Sequence, residues 1–273
     1  MAKTRLRFGL IGCGAMGTTI AGAFDRGDVA DELVAVYDAN KEAAQKLAGS
    51  LKCKPVCAKD YYSMLRSCDF IIEAASQEAV REHVPDAVAR GKDVLIMSVG
   101  ALLDRRLLSS LTATAEKSGS TIYLPSGAVS GIDGILAASV AGIEEVTLST
   151  TKPPAGLKGT KYLEDKGINL NAITKPTVVY EGDAEEAVSL FPKNINVSAI
   201  VSLAAGKTAR VKIVADPTTD RNTHQITARG PFGEITTVTS NIPSPDNPKT
   251  SYLACLAAIA VLKKVTGNIK IGN

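Results

Sequence analysis

Four residues near the start of the chain have the types and spacing of a dinucleotide-binding turn. Gly12, Gly14 and Gly17 follow an apolar run of strand length, and Asp38 lies 21 positions beyond the last glycine. In such turns one glycine permits the sharp bend, the next lets a pyrophosphate approach bare backbone, and the third lets the helix pack closely on the sheet. A carboxylate at that distance accepts the hydroxyls of the adenine ribose. The pattern therefore predicts a site for NAD.

The helix after this turn is expected to begin at Ala15 and Met16, where open N–H groups and the positive end of the helix dipole receive phosphate. Asp38 favours NAD, because a carboxylate repels the 2′-phosphate of NADP. Lys41 follows closely and could partly compensate for that repulsion. Use of NADP therefore stays open.

Further cofactor contacts are expected beyond the carboxyl ends of the strands, where ligands lie in doubly wound sheets. Segments of small or polar residues follow predicted strands at 73–77, 98–101 and 126–128. In the first of them, Ala75 and Ser76 would let a nicotinamide ring and its ribose lie against the backbone. Short connections between elements explain such residues equally well.

The chain contains two histidines. His83 lies on the polar side of a predicted helix and is expected to be a solvated surface residue. His224 lies at the entry to a predicted strand, where a half-exposed histidine bonded to a neighbour is the simplest interpretation. A nicotinamide enzyme, however, needs a group that moves protons near neutral pH, and imidazole does so without help from burial. His224 is therefore the candidate general base.

Two asparagines, Asn194 and Asn196, lie where a helix should begin. One can cap that helix. The other can donate a hydrogen bond to the nicotinamide carboxamide or to the substrate.

The elements that would position these residues alternate between strand and helix through residue 125. Strands are predicted at 6–11, 32–37, 55–58, 69–74, 93–98 and 120–124, and helices at 15–26, 40–49, 60–66, 77–90 and 104–118. Asn40 and Asp104 are suited to N-caps. This alternation implies right-handed crossovers and an α/β fold with an N-terminal Rossmann doubly wound parallel sheet.

The composition changes after residue 127, which predicts a second α+β domain for substrate binding and dimerisation. Strands are predicted at 145–150, 177–180, 211–216, 222–228 and 234–239, the last three as an antiparallel set, with a polar loop at 152–175 and a helix at 196–205. A final apolar helix is predicted from Asn247 and Pro248, returning to the first domain. The predicted domains are 1–127 with 247–273, and 128–246.

The overall composition excludes several classes of protein. The 273 residues are 45% hydrophobic and 22% charged, carry a formal charge of +3 and contain no tryptophan, which argues against nucleic-acid binding. The N-terminus leads directly into a strand and the longest apolar stretch is about half a membrane span, so we expect a cytoplasmic protein. The spacing of the five cysteines does not suit a metal site, and buried reduced thiols are expected.

With these residues assembled, the chain resembles the L-aspartate dehydrogenase family across nearly its whole length. The likeness is carried by residues 12–17, 125–128, 190–197, 216–217, 222–224 and 241–251. The first motif, Gly-Cys-Gly-Ala-Met-Gly, is common to many dehydrogenases. The last three, Asp-Pro, Asn-Thr-His and Asn-Ile-Pro-Ser-Pro-Asp-Asn-Pro-Lys-Thr-Ser, are specific to this family in their order and spacing.

The resemblance implies an NAD- or NADP-linked oxidation of L-aspartate to iminoaspartate, which yields oxaloacetate and ammonia or feeds quinolinate and NAD synthesis. It also implies that His224 is catalytic, that Ala128 and Asn194 contact the cofactor, and that the protein is a homodimer. Because the substrate is a dianion, cationic groups should converge on it. The candidates near the motifs are Lys193, Arg221 and Lys249, with Thr223 beside the histidine, although each charge taken alone is more typical of a solvated surface residue.

Three alternatives compete with this interpretation. A semialdehyde dehydrogenase needs a cysteine nucleophile, and the predicted second domain has no cysteine before Cys255. A dihydrodipicolinate reductase-like enzyme would show a cluster of basic and histidine residues, whereas His224 has no second histidine nearby. A non-catalytic NAD-sensing protein would bind the cofactor without oxidising L-aspartate, and it would be indifferent to His224→Ala.

Overall fold

A computed structural model describes residues 5–191, 196–244 and 247–272, without the side chains of 247–250. The described chain divides into two units. Unit 1 comprises residues 5–125 and 255–271, and unit 2 comprises residues 126–254 and Gly272. The second segment of unit 1 therefore begins at Cys255, whereas the sequence places the return to the first domain at residue 247.

Unit 1 alternates strands and helices because its apolar residues change between continuous runs and helical periods. Its elements are β1 (Arg7–Ile11), α1 (Ala15–Asp25), β2 (Glu32–Tyr37), α2 (Lys41–Ser50), β3 (Val56–Cys57), α3 (Tyr61–Ser67), β4 (Phe70–Glu73), α4 (Gln77–Ala89), β5 (Asp93–Ile96), α5 (Arg105–Ser118) and β6 (Ile122–Tyr123). The six strands pair in parallel in the order β3-β2-β1-β4-β5-β6. The predicted doubly wound parallel sheet is confirmed.

Unit 2 combines helices with a mixed sheet. Its elements are α6 (Ile132–Ser139), β7 (Glu145–Lys152), α7 (Lys161–Asp165), β8 (Thr177–Asp183), α8 (Ala184–Leu190), α9 (Asn196–Ala205), β9 (Arg210–Ala215), β10 (Asn222–Gly230), β11 (Gly233–Asn241), β12 (Pro243–Ser244) and β13 (Asn247–Ser251), followed by α10 (Tyr252–Thr266), which continues into unit 1. The five longer strands form a sheet in the order β11-β10-β7-β9-β8, in which β7 and β9 are parallel.

This order corrects the predicted antiparallel set of three strands. The strands β10 and β11 do pair antiparallel, but β7 lies between β9 and β10. Alternation of buried and exposed residues shows that a strand covers a core, but it carries no information about its neighbours. The predicted polar loop at 152–175 is also only partly irregular. It contains α7 and two 3-10 turns, Pro154–Leu157 and Leu170–Ala172.

The predicted helix start at residue 247 is wrong as well. Residues Asn247–Ser251 form β13, which pairs with β12, and the helix begins at Tyr252. An Asn-Pro pair suits a helix start, but a proline also suits a strand that leaves its N–H side unpaired. Farther along α10, Ala258, Ile259 and Leu262 are buried in the core that surrounds β1.

Candidate functional site

The three glycines of the first turn have different surroundings. Gly12 has a φ of +96°, and a Cβ there would lie 2.6 Å from the carbonyl oxygen of Ala74. A Cβ on Gly17 would lie 1.9 Å from the carbonyl oxygen of Gly12, so α1 packs directly on the turn. A Cβ on Gly14 would meet nothing within 4 Å. Two glycines thus satisfy steric demands, and Gly14 leaves the open space that a pyrophosphate needs.

Asp38 is held against this turn by backbone hydrogen bonds. One carboxylate oxygen accepts from the N–H of Cys13 at 2.7 Å, and the other accepts from the N–H of Asn40 at 2.8 Å. Each oxygen keeps lone pairs for a ribose hydroxyl. The helix α1 has no side-chain cap and no acidic residue in its first turn, so its start suits an anion. These residues fit the dinucleotide that the sequence predicts.

Met16 differs from its neighbours in this turn. Its half-buried side chain packs against the core of unit 1, and its Sδ lies 3.0 Å from Sγ of Cys255. A contribution of Met16 to a phosphate site would therefore come from its backbone N–H.

Of the five cysteines, Cys13, Cys68 and Cys255 are buried, whereas Cys53 is exposed and Cys57 is half-buried. The expectation of buried thiols thus holds for three.

Glu73 organises the ends of two neighbouring strands, a role that sequence reasoning missed. Its fully buried carboxylate accepts hydrogen bonds from the N–H groups of Ala75, Ser76 and Ser98, and from Oγ of Ser98, at 2.8–3.0 Å. Burial raises the pKa of Glu73, while the four donated hydrogen bonds favour its ionised form. The carboxylate therefore fixes the exposed Ala75 and Ser76 relative to the loop after β5. An acidic residue ending an apolar strand was the available signal.

His83 is not the solvated surface residue that the sequence predicts. It is 8% exposed, its ring stacks on Tyr61 at 4.4 Å, and its edge meets Tyr37 at 5.7 Å. Burial lowers the pKa of His83. Tyr37 on β2 and Tyr61 on α3 cover a face of α4 that the sequence pattern predicts to be polar.

His224 lies on β10 directly opposite Thr150 on β7. Its Nδ1 is 3.0 Å from Oγ1 of Thr150, and the residue is 3% exposed. Burial, followed by the positive charge of Lys152, lowers the pKa of His224 to about 3. Burial therefore contradicts the expectation that this imidazole titrates near neutral pH without help from its surroundings. For Nε2 to accept a proton, Nδ1 must carry hydrogen and donate it to Thr150.

Lys152 lies beside this pair and was missed because the sequence assigned residue 152 to a loop. The strand β7 extends to Lys152 and buries every second residue. A cavity in unit 2 is lined by Leu148, Thr150, Lys152, Leu157, Ser198, Val211 and Ile213. Lys152 is 6% exposed, and burial lowers its pKa to about 8. The period-two pattern from Val146 onward was the signal that could have found it.

Asn241 fixes the loop that contains Ala128. Its Nδ2 donates to the carbonyl oxygen of Ala128 at 2.9 Å and to that of Asn222 at 3.2 Å. Ala128 and Asn241 are both buried. The carbonyl of Ala128 is thereby tied to β10 two residues before His224, through a side chain that sequence reasoning did not single out.

Of the remaining predicted residues, Arg221 and Thr223 are described with their side chains, and neither joins His224. Arg221 is exposed, with Nε 3.8 Å from a carboxylate oxygen of Asp220. Thr223 points to the opposite face of β10 from His224, and its Oγ1 is 3.4 Å from Oγ of Ser240. Lys193 and Asn194 lie outside the described residues, as does the side chain of Lys249.

Two further properties concern the described part of the chain. Its residues contain no grouping of three or more His, Cys, Asp or Glu side chains that could hold a metal ion. None of its helices combines the length and hydropathy needed to cross a membrane.

The parallel sheet with its glycine turn and the Asp38 carboxylate held against it, followed by a mixed-sheet unit, defines a two-domain NAD-linked dehydrogenase. Residues 12–125 match the family described as homoserine dehydrogenase, NAD binding domain, and residues 133–265 match the family described as aspartate dehydrogenase, C-terminal. The chain belongs to the L-aspartate dehydrogenase family.

Individual relatives agree with this membership. The L-aspartate dehydrogenase of Methanosarcina acetivorans is 50% identical over 98% of this chain and 100% of its own length. That of Nitrosopumilus maritimus is 46% identical over 98% of this chain and 99% of its own. The crystal structure of aspartate dehydrogenase from Thermotoga maritima matches with a TM-score of 0.78 at 24% identity, covering 98% of this chain and 100% of the other. Apo scyllo-inositol dehydrogenase from Lactobacillus casei shares the fold at a TM-score of 0.59 and 14% identity, over 100% and 91% of the two chains.

Proposed function

We propose that this chain oxidises L-aspartate to iminoaspartate with NAD, yielding oxaloacetate and ammonia or supplying quinolinate and NAD synthesis. The observation that carries the proposal is the buried pair of His224 and Thr150 beside Lys152, within the residues that match the C-terminal aspartate dehydrogenase family. The 50% identity to a relative named L-aspartate dehydrogenase, over nearly the whole chain, supports the same substrate.

The cofactor is assigned to the residues that fit it. The backbone of Gly12, Gly14, Ala15, Met16 and Gly17 would hold the pyrophosphate, and Asp38 would bind the adenine ribose. The remaining assigned contacts are Ala75, Ser76, Ala128 and Asn194. NAD, when bound, accepts hydride from the substrate Cα. Asp38 favours NAD, and use of NADP remains a secondary proposal because the exposed Lys41 follows it.

His224 is assigned as the proton acceptor. The α-ammonium of L-aspartate must lose a proton before its C–H bond breaks, and the neutral imidazole is the group available to take it. In the tautomer with hydrogen on Nδ1, that nitrogen donates to Oγ1 of Thr150, which orients the ring and leaves Nε2 as the base. A dianionic substrate nearby raises the pKa of an imidazole, so the ring becomes a better base when substrate binds.

The test is the formation of NADH at 340 nm with L-aspartate, compared with other amino acids and with both cofactors. The reverse reaction is followed with oxaloacetate and ammonia. We expect L-aspartate to exceed every other amino acid in kcat/KM. NAD binding without oxidation of any amino acid would contradict the proposal and favour a sensing role.

Assembly and location are also proposals. The resemblance to the family supports a homodimer, and β7 and β10 offer a partly exposed sheet face on which copies could pair. Light scattering on the purified protein would test the dimer, and a monomer at micromolar concentration would contradict it. A location in the cytoplasm is proposed as well, and fractionation of cells would test it.

A further inference from the structure

Alternate side chains of β11 hold the segment 128–130 against one face of the sheet in unit 2. Oγ1 of Thr239 accepts a hydrogen bond from the N–H of Ser130 at 3.1 Å, and it lies 3.0 Å from Oγ of the same serine. Oγ1 of Thr237 donates to the carbonyl oxygen of Ser130 at 3.2 Å. A Cβ added to Gly131 would lie 2.6 Å from Cγ2 of Thr237, so the chain also packs closely on the strand. Both backbone polar groups of Ser130 are thus bonded to side chains of β11.

The strand register places these contacts beside His224. In the sheet, Thr239 on β11 and Thr150 on β7 lie directly opposite His224 on its two sides. Residues that pair across strands share a face of the sheet, and their Cβ atoms are about 4.5–5.5 Å apart. His224 therefore has Thr150 on one side, in contact with its Nδ1, and Thr239 on the other, in contact with the segment 128–130. The imidazole and the segment are held relative to one another by neighbouring strands.

Asn241 repeats this arrangement two residues farther along β11. It pairs with Asn222, which precedes His224 by two residues, and its Nδ2 bonds to the carbonyl oxygens of Asn222 and Ala128. A loop needs partners for its backbone, but it does not need them at the register positions around one histidine. A reaction site does need such support, because a displacement of about 1 Å can reduce the rate 10²-fold. The repeated contacts therefore indicate preorganisation of the segment that carries Ala128.

We propose that Thr239 is a positioning residue, which holds the segment 128–130 beside His224 so that the cofactor contact assigned to Ala128 and the proton acceptor keep a fixed separation. This inference rests on the proposed function and adds a residue that acts through its neighbours. The hydroxyl is the part of the side chain that acts, because Oγ1 accepts from the N–H of Ser130. Thr239 is only half-buried, so loss of the hydroxyl should disturb the segment more than the core.

The experiment replaces Thr239 in the full chain by valine, which has nearly the same shape but lacks the hydroxyl. The N–H of Ser130 then loses its acceptor, and the segment that carries Ala128 is held less firmly. In Thr239→Val we expect NADH to bind about fivefold more weakly in a fluorescence titration, and kcat/KM for L-aspartate to fall about tenfold or more. Thr239→Ser keeps Oγ and should restore both quantities to within about twofold of the wild type.

Thr236→Val is the matched control, because Thr236 is exposed on the opposite face of β11 and its Oγ1 lies 3.3 Å from Oγ1 of Thr227. This variant also loses a hydroxyl and its hydrogen bond, but it should bind NADH and oxidise L-aspartate as the wild type does.

A folded Thr239→Val protein with wild-type NADH affinity and kcat/KM would overturn the proposal even if its unfolding temperature fell, because a purely structural threonine changes stability alone. Equal losses in Thr236→Val, or a serine variant as impaired as the valine variant, would also overturn it. If Thr239→Val does not fold, Thr239→Ala replaces it and is judged by the same two quantities.

Failure of this inference is distinguishable from failure of the proposed function, because NADH binding does not require turnover. If the wild type oxidises L-aspartate and Thr239→Val matches it in both quantities, the inference alone is wrong and the proposed function stands. If the wild type binds NADH but oxidises no amino acid, the proposed function is wrong, and the NADH affinities of Thr239→Val and Thr236→Val still decide whether Thr239 positions the segment.

Discussion

The two units form their sites in different ways. In unit 1, Gly12, Gly14 and Gly17 lie within six residues of one another, and Asp38 reaches the same turn through backbone hydrogen bonds. In unit 2, Thr150 and His224 are 74 residues apart and meet because β7 pairs with β10. A site built by local backbone can be recognised from a motif, whereas a site built by strand register requires the sheet order.

The largest effect is expected from a substitution in the unit 2 site. His224→Ala removes the proposed proton acceptor, so turnover of L-aspartate should fall by about 10²- to 10⁴-fold. NAD affinity should stay within a few-fold, because the cofactor motif lies in unit 1. Steady-state kinetics and NADH fluorescence measure the two quantities. Gln225→Ala is the matched control, since Gln225 is exposed on the other face of β10, and near-normal turnover in His224→Ala would remove the assigned role.

The next effect concerns the strand ends of unit 1. Glu73→Gln replaces an oxygen by an N–H₂ donor in a site where three of the four partners are backbone donors. A buried N–H₂ group left facing backbone N–H donors should lower the free energy of unfolding by about 1–3 kcal/mol and weaken the binding of NAD. Urea denaturation checks the first quantity. Glu82→Gln on the exposed side of α4 should change neither, and an equal effect in both variants would contradict the role of Glu73.

The pH dependence of stability tests the unit 2 site in a second way. The pKa of His224 is lowered to about 3 from 6.5, so between these values the unfolded state binds the extra proton. The stability contributed by the neutral imidazole is therefore complete above pH 6.5 and is lost on acidification, by roughly 1 kcal/mol for each pH unit. The midpoint temperature of thermal unfolding should depend less steeply on pH in His224→Asn than in the wild type. Parallel curves for wild type and variant would show that His224 is not buried as described.

The smallest expected effect sharpens the cofactor assignment. Asp38→Ala removes the carboxylate that we propose binds the adenine ribose, and also its repulsion of a 2′-phosphate. NAD should bind roughly tenfold more weakly, a loss of about 1.4 kcal/mol of binding free energy, and the affinity for NADP should change less. Fluorescence titration with NADH and NADPH measures both affinities. Equal losses would mean that Asp38 does not touch the ribose.

The sequence was sufficient for those parts of the molecule in which neighbouring residues determine the structure. Asn40 was predicted as an N-cap, and its side chain accepts from the N–H groups of Glu42 and Ala43. Gly12 and Gly17 were predicted to be steric requirements of the turn, and an added Cβ would clash at both. Unit 1 was therefore predictable nearly element by element.

The sequence was insufficient where distant segments meet. Lys152 was assigned to a loop, because its burial depends on the pairing of β7 with both β9 and β10. His83 was assigned to solvent, because the aromatic residues that cover it come from other elements. Residue 248 suited either a helix start or an edge strand, and pairing with β12 decided between them.

The course of α10 has a consequence for the order in which the protein is made. Ala258, Ile259 and Leu262 fill the core around β1, although more than 180 residues separate them from β4. A nascent chain that has emerged only through β6 lacks these apolar side chains, each of the larger two contributing about 1.5–3 kcal/mol when buried. Synthesis must therefore run past Leu262 before the nucleotide-binding unit attains its final stability.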